Sequence, residues 1–197
     1  MGRSVGRLAI LSRMPADAPP PQGTTGPGAH PDRCLYSAAM ASHPSFQSSC
    51  GVCQSLSGPA PAQALYEDDM WHVRHADAPY GVAGWMMLIT RRHVAGPAHF
   101  DDDEARRFGL ALRHFERKLE EVTGALRIYT AAMGESHPHF HAHMVPRYAQ
   151  MPKDAKAWGV FDLQRAANAG EIPSVDPAEV LRISEAYRRL LVEGPPR

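Results

Sequence analysis

The feature that most constrains this chain is a run of alternating histidines, His137-Pro138-His139-Phe140-His141-Ala142-His143-Met144-Val145. Successive side chains of a β-strand point to opposite faces of the sheet. A strand over 140–145 therefore places His139, His141 and His143 on one face, while the apolar residues between them enter a core. Pro146 is expected to end this strand, because proline cannot donate to a sheet ladder.

Three imidazoles on one sheet face offer several kinds of chemistry. Near pH 7 an imidazole can attack phosphorus, hold a metal or donate a proton. A metal site made of all three histidines requires the rings to converge, although same-face positions on a strand lie about 6–7 Å apart. A polar surface strand, or a fortuitous histidine-rich stretch, is the remaining alternative.

Composition narrows the class of protein. The chain has 197 residues, 44% of them hydrophobic, with 21 Lys+Arg against 21 Asp+Glu. Enough apolar material is present for a packed core, which excludes a fully disordered or collagen-like chain. The net charge of +0 disfavours binding to nucleic acid polymers or anionic membranes. With neither a membrane span nor a signal peptide in the sequence, we expect a cytoplasmic protein.

The periodicity of the remaining sequence predicts an α+β fold. A helix is indicated where apolar residues recur at three- and four-residue steps between Phe108 and Val122, with caps at 101–103 and an end at Gly124. A second helix begins at Asp176-Pro177. The predicted strands precede and follow the first of these helices in the sequence. This order of elements predicts an antiparallel sheet with one long helix. The predicted strands are 64–66, 70–73, 85–90, 126–130 and 140–145.

The chain divides into three segments by composition. Residues 1–46 are rich in Pro, Gly, Ala and Ser and are predicted to be a disordered tail. Met40 is an alternative start of translation. Residues 47–150 form the main domain, and residues 151–197 form a C-terminal extension that contains the second helix.

Two of the three cysteines form the motif Cys50-Gly51-Val52-Cys53. An odd number of cysteines in a chain of this size does not make a disulfide framework, so metal binding or redox chemistry is favoured. A thioredoxin-like role is the weaker alternative, because the motif precedes the first strand instead of following one and opening a helix. A Cys-x₂-Cys turn can supply two ligands to a tetrahedral metal such as zinc.

The histidine run resembles the signature of the histidine triad (HIT) superfamily, His-φ-His-φ-His-φ-φ with φ apolar, and His139 to Val145 fit every position. Weaker motifs of the family follow in matching order over Cys50 to Tyr148. They are the cysteine pair, Leu65-Tyr66-Glu67-Asp68, Asp77 with Gly84, Arg91-Arg92-His93-Val94, the long helix and Pro146-Arg147. The resemblance implies a compact α+β domain, usually a homodimer.

The resemblance also assigns roles to single residues. His141 would be the nucleophile that attacks the α-phosphorus and forms a nucleotidyl-histidine, with His143 contacting the phosphate. The nucleotide would further be held by Asp77 at the ribose hydroxyls, by Ser136 at the phosphate and by Glu135 beside it. Cys50, Cys53, His93 and His139 match the four ligands of a structural zinc ion in a bacterial branch, where the metal would fix the orientation of His139.

Two positions depart from the family pattern. Trp85 stands where a histidine is common, and Glu135 stands where a glutamine is usual, so an ionised carboxylate would face the phosphate. The function implied by the resemblance is cleavage of a phosphoanhydride or phosphoramidate in a small nucleotide such as a diadenosine polyphosphate. The alternative, favoured by these departures, is a zinc-stabilised nucleotide-binding module with weak or no catalysis.

Overall fold

The computed structural model of the chain describes residues 45–57 and 64–196. The predicted tail, except for its last two residues, and the alternative start at Met40 lie outside the described residues. Within those two ranges, no helix is long and apolar enough to cross a membrane.

Five antiparallel strands form one sheet in the order β1-β2-β3-β5-β4. The predicted α+β fold with an antiparallel sheet and one long helix is confirmed. In the β1–β2 hairpin, the Asp68 side chain accepts hydrogen bonds from the amides of Met70 and Trp71 at 2.8 and 2.7 Å, which closes the polar turn. The strands are β1 (Ala64–Glu67), β2 (Trp71–His75), β3 (Met86–Thr90), β4 (Arg127–Ala131) and β5 (His141–Arg147).

The connection between β3 and β4 is the long helix α2 (Asp102–Thr123). A capping box formed by Asp101 and Glu104 begins it, and it ends at Gly124 as predicted. The amides of Asp101, Asp103 and Glu104 at the start of the helix are thereby satisfied. Ala111, Phe115 and Leu119 are buried against one face of the sheet, so this face carries the main core.

The prediction that Pro146 ends its strand is wrong. Strand β5 continues to Arg147, and Pro146 pairs with Ile128 of β4. The pairing of β5 with β3 stops at Met144, so Pro146 has a neighbouring strand on one side only. A missing amide donor is tolerated at such an edge position.

The predicted C-terminal helix is α4 (Pro177–Leu190), and the Asp176 side chain caps it by accepting from the amide of Ala178 at 2.9 Å. It packs on α2, where the buried Tyr187 hydroxyl donates to the carbonyl of Phe115 at 2.9 Å. The extension after residue 150 therefore contributes to the same core as the sheet.

A further helix, α3 (Gly159–Asn168), was not predicted. It lies so close to the loop after β2 that a Cβ atom at Gly81 would come within 2.6 Å of the Gln164 backbone. The Gln164 side chain accepts from the Gly81 amide at 3.0 Å and donates to the carbonyl of Pro79 at 2.6 Å. Only glycine permits this approach, which fixes α3 beside the sheet face opposite α2.

Helix α1 (Gly51–Leu56) covers another part of that second face. Its Val52 and Leu56 pack with Met87 and Ile89 of β3. Since these are the β3 residues that pair with His143 and His141 of β5, the second face holds the histidines between α1 and α3.

Candidate active site and metal cluster

The β5 histidines lie on the sheet face away from α2. His141 and His143 are partly exposed, and Ala142 and Met144 between them are buried in the core, which confirms the predicted alternation. The rings of His141 and His143 contact each other edge to face, with centroids 5.2 Å apart. His139 precedes the strand, and its ring instead contacts His93 at 5.1 Å.

The tautomer of His141 follows from its backbone partner. Its Nδ1 lies 2.7 Å from the carbonyl oxygen of His139. A carbonyl oxygen only accepts hydrogen bonds, so in the neutral imidazole Nδ1 carries the proton and Nε2 keeps its lone pair. An imidazole held in this way presents a nucleophilic nitrogen without further deprotonation.

His143 has a different environment. The indole Nε1–H of Trp85 donates to its Nδ1 at 3.1 Å, and the ring of Phe161 lies edge-on with its centroid at 6.0 Å. Burial, with smaller contributions from His141 and the positive charge of Arg74, lowers the pKa of His143 to about 4. The ring is therefore neutral near pH 7.

The four residues Cys50, Cys53, His93 and His139 form a cluster whose ligand atoms all lie within 4.8 Å of one another. The Cys53 Sγ lies 3.3 Å from His93 Nδ1 and 3.4 Å from His139 Nδ1. Cys50 Sγ lies 3.8 Å from His139 Nδ1. Ligands around a tetrahedral ion with Zn–S of about 2.3 Å and Zn–N of about 2.0 Å are separated by roughly 3.3–3.8 Å, and the three Cys–His distances lie in this range.

The orientation of His139 favours metal binding. Its Nε2–H donates to the carbonyl of Thr90 at 2.7 Å, which turns Nδ1 and its lone pair toward the cysteines. Such an outer hydrogen bond is typical of metal-bound histidines. Burial is the main cause of the raised pKa of the Cys53 thiol, so metal binding there would release a proton.

The predicted nucleotide contacts lie on opposite sides of the His141–His143 pair. Asp77 follows β2 and forms a bidentate ion pair with Arg74, at 2.7 and 3.1 Å. Arg74 pairs with Met87, which pairs with His143, so Asp77 belongs to the His143 end. Glu135 and Ser136 are exposed in the loop that leads into β5 and belong to the His141 end.

Three side chains near the histidines were not foreseen as site residues. Trp85 was expected to weaken the polar network, yet its indole N–H donates to His143. The sequence did not mark Arg74 as a site residue, because a single charged residue within a strand is usually a solvated side chain. Phe161 lies on α3, whose short apolar pattern did not distinguish it from a loop.

The HIT domain family model matches residues 57–150. The curated protein named "Protein hit" from Bacillus subtilis (strain 168) is 24% identical over 115 residues, which are 55% of this chain and 78% of that protein.

Two solved structures with a similar fold are a Hit-like protein and a histidine triad family protein. A Hit-like protein from Bartonella henselae has a TM-score of 0.54 at 13% identity and covers 74% of this chain and 98% of its own. A zinc-bound histidine triad family protein from Mycobacterium smegmatis has a TM-score of 0.52 at 20% identity and covers 74% and 94%. Residues 57–150 thus match the HIT domain family model, which confirms the resemblance in the sequence.

Proposed function

We propose that the chain is a nucleotide hydrolase or nucleotidyl transferase in which His141 forms a covalent bond to phosphorus. The observation that carries this proposal is the hydrogen bond from His141 Nδ1–H to the His139 carbonyl at 2.7 Å. It leaves the lone pair on Nε2 free for attack. The substrate class is a small nucleotide with a phosphoanhydride or phosphoramidate bond, such as a diadenosine polyphosphate.

The reaction has two displacement steps. Nε2 of His141 forms a bond to the α-phosphorus, while the bond to the leaving-group oxygen or nitrogen breaks and its electron pair stays with the leaving group. A water oxygen then forms a new bond to phosphorus, the electron pair of the P–N bond returns to Nε2, and the water proton passes to solvent. Positioned donors stabilise the charge on the equatorial oxygens in both steps.

The surroundings of His141 leave room for part of a substrate. A shallow cavity of about 230 Å³ opens beside it, between the loops 95–97 and 132–134. Ser136 follows this second loop and would offer its hydroxyl to a phosphate oxygen. At the other end of the histidine pair, Asp77 would accept hydrogen bonds from the ribose hydroxyls, with its carboxylate oriented by Arg74.

The Cys₂His₂ cluster is proposed to hold one structural zinc ion. Two thiolates and two imidazoles suit zinc, which would supply no reacting group here because all four positions are filled by side chains. His139 belongs to both sites, since its ring lies in the cluster and its carbonyl orients His141. The Mycobacterium smegmatis neighbour is described as zinc-bound, in keeping with this proposal.

A homodimer is the proposed assembly. Strand β4 is an edge of the sheet, and an edge strand has unpaired backbone groups on which a second copy can add its own strand. Light scattering coupled to size-exclusion chromatography will measure the mass in solution. A monomer at micromolar concentration would contradict this assembly.

The covalent intermediate is tested by intact-protein mass spectrometry after brief incubation with a panel of adenylate-bearing substrates. We expect the wild type to gain the mass of one nucleotidyl group and His141→Ala to gain none. His99→Ala, a change at an exposed histidine in the turn before α2, is the matched control and should behave as wild type. Nucleotide binding without adduct or turnover would instead support the alternative, a binding module without catalysis.

A further inference from the structure

Trp85 is both packed beside the site histidines and hydrogen-bonded to one of them. The residue is 3% exposed and precedes β3, and its Nε1–H donates to His143 Nδ1 at 3.1 Å. An indole N–H is a donor only. His143 Nδ1 must therefore accept with its lone pair, and the proton of the neutral ring must sit on Nε2.

The two neighbouring histidines are consequently held in opposite tautomers. His141 carries its proton on Nδ1, because that atom faces the carbonyl of His139. His143 carries its proton on Nε2, because its Nδ1 faces an N–H group. One ring of the pair thus offers a lone pair, while the other offers a hydrogen-bond donor.

We propose that Trp85 is a positioning residue that fixes His143 as the Nε2–H tautomer, so that His143 donates a hydrogen bond to a substrate oxygen beside the nucleophile. The inference rests on the proposed function for its consequence in the reaction, but the tautomer itself is independent of any substrate. A histidine donor next to the attacked phosphorus stabilises the negative charge that develops there.

The C-terminal extension keeps the indole in place. Phe161 of α3 contacts Trp85 edge to face at 5.2 Å, and the fully buried Val160 packs in the same cluster with Val82 and Val145. Because this cluster surrounds the indole, Trp85 cannot swing away from His143 without exposing apolar surface. The low pKa of His143 agrees, since a protonated Nδ1 could not accept from Trp85.

The experiment separates this role from simple packing. Trp85→Phe keeps an aromatic ring but removes the N–H, and Trp85→His restores a ring that can donate. Trp158→Phe is the matched control, because Trp158 is 69% exposed and contacts the same Phe161 at 6.0 Å. Circular dichroism and thermal melting will establish that each variant is folded.

The first readout is the tautomer, measured without substrate by long-range ¹H–¹⁵N correlation spectra of ¹⁵N-histidine-labelled protein, with His143 assigned from its absence in His143→Gln. We expect the Nε2–H form in the wild type and in Trp158→Phe, a mixture of tautomers in Trp85→Phe, and recovery of Nε2–H in Trp85→His. An Nδ1–H form in the wild type, or an unchanged Nε2–H form in Trp85→Phe, would overturn the inference.

The second readout is the single-turnover rate of nucleotidylation of His141. We expect Trp85→Phe to lower this rate about 10- to 100-fold with little change in KM, as for loss of a donor that acts in the transition state. An unchanged rate would overturn the positioning role. If the wild type forms no adduct, the proposed function fails, whereas the tautomer spectrum still decides whether Trp85 sets the proton position.

Discussion

Lowering the pH should destabilise this protein through His143 in a defined window. The unfolded chain gains a proton at this residue near the ordinary pKa of 6.5, whereas the folded ring stays neutral down to about pH 4. Between these values the unfolded state binds more protons, so the free energy of unfolding falls as the pH falls. Above about pH 6.5 His143 is neutral in both the folded and the unfolded state, so it no longer makes the free energy of unfolding depend on pH.

The size of the effect follows from the shift. Moving the pKa from 6.5 to about 4 corresponds to about 3 kcal/mol, at about 1.4 kcal/mol for each pKa unit. The ring is partly open to solvent, and solvent screens the repulsion from His141 and Arg74. We therefore expect a measured loss of about 2 kcal/mol as the pH falls from 7 to about 4.5.

Urea denaturation followed by circular dichroism between about pH 4.5 and 8 will measure this loss. The matched variant is His143→Gln, which has no titratable ring. Its free energy of unfolding should fall less steeply in the window, because the proton uptake of His143 is absent. Other buried histidines with lowered pKa, such as His75, act equally in both proteins and cancel in the comparison. Equal zinc concentrations are kept in all samples. Parallel pH profiles for wild type and His143→Gln would refute the reasoning.

Three further predictions concern the metal, the loop after β2 and the nucleotide. Cys53→Ala should lose bound zinc in elemental analysis and lower the melting temperature, and unchanged zinc content would contradict the proposed ligand set. Gly84→Ala should cost about 1–3 kcal/mol in urea denaturation, because Gly84 has φ +76° and its new Cβ would meet three side-chain atoms at 3.1–3.2 Å. Gly109→Ala, in open space on α2, should instead stabilise the folded protein by about 0.5–1 kcal/mol. Equal changes in the free energy of unfolding for the two variants would contradict this explanation. Asp77→Asn should raise KM several-fold with little change in kcat, while an unchanged KM would remove Asp77 and its partner Arg74 from ribose binding.

Local periodicity was sufficient to predict most of the architecture. The alternation around His141 and His143 separates exposed imidazoles from buried Ala142 and Met144, and this separation depends only on the period of a strand. The helix α2 was predicted for the same reason, since its apolar residues and its caps are neighbours in the sequence. Helix α3 was missed because its apolar residues face a small local cluster, which leaves too short a periodic signal.

The sequence by itself determined the fold class, the face that presents the histidines and, through the family resemblance, the four residues of the Cys₂His₂ cluster. Only the tertiary structure decided how the protons of the two histidines are placed. Trp85 and His143 are 58 positions apart, and their hydrogen bond depends on the pairing of β3 with β5 and on the docking of α3. Such contacts arise from strand register and side-chain packing, which a local pattern does not encode.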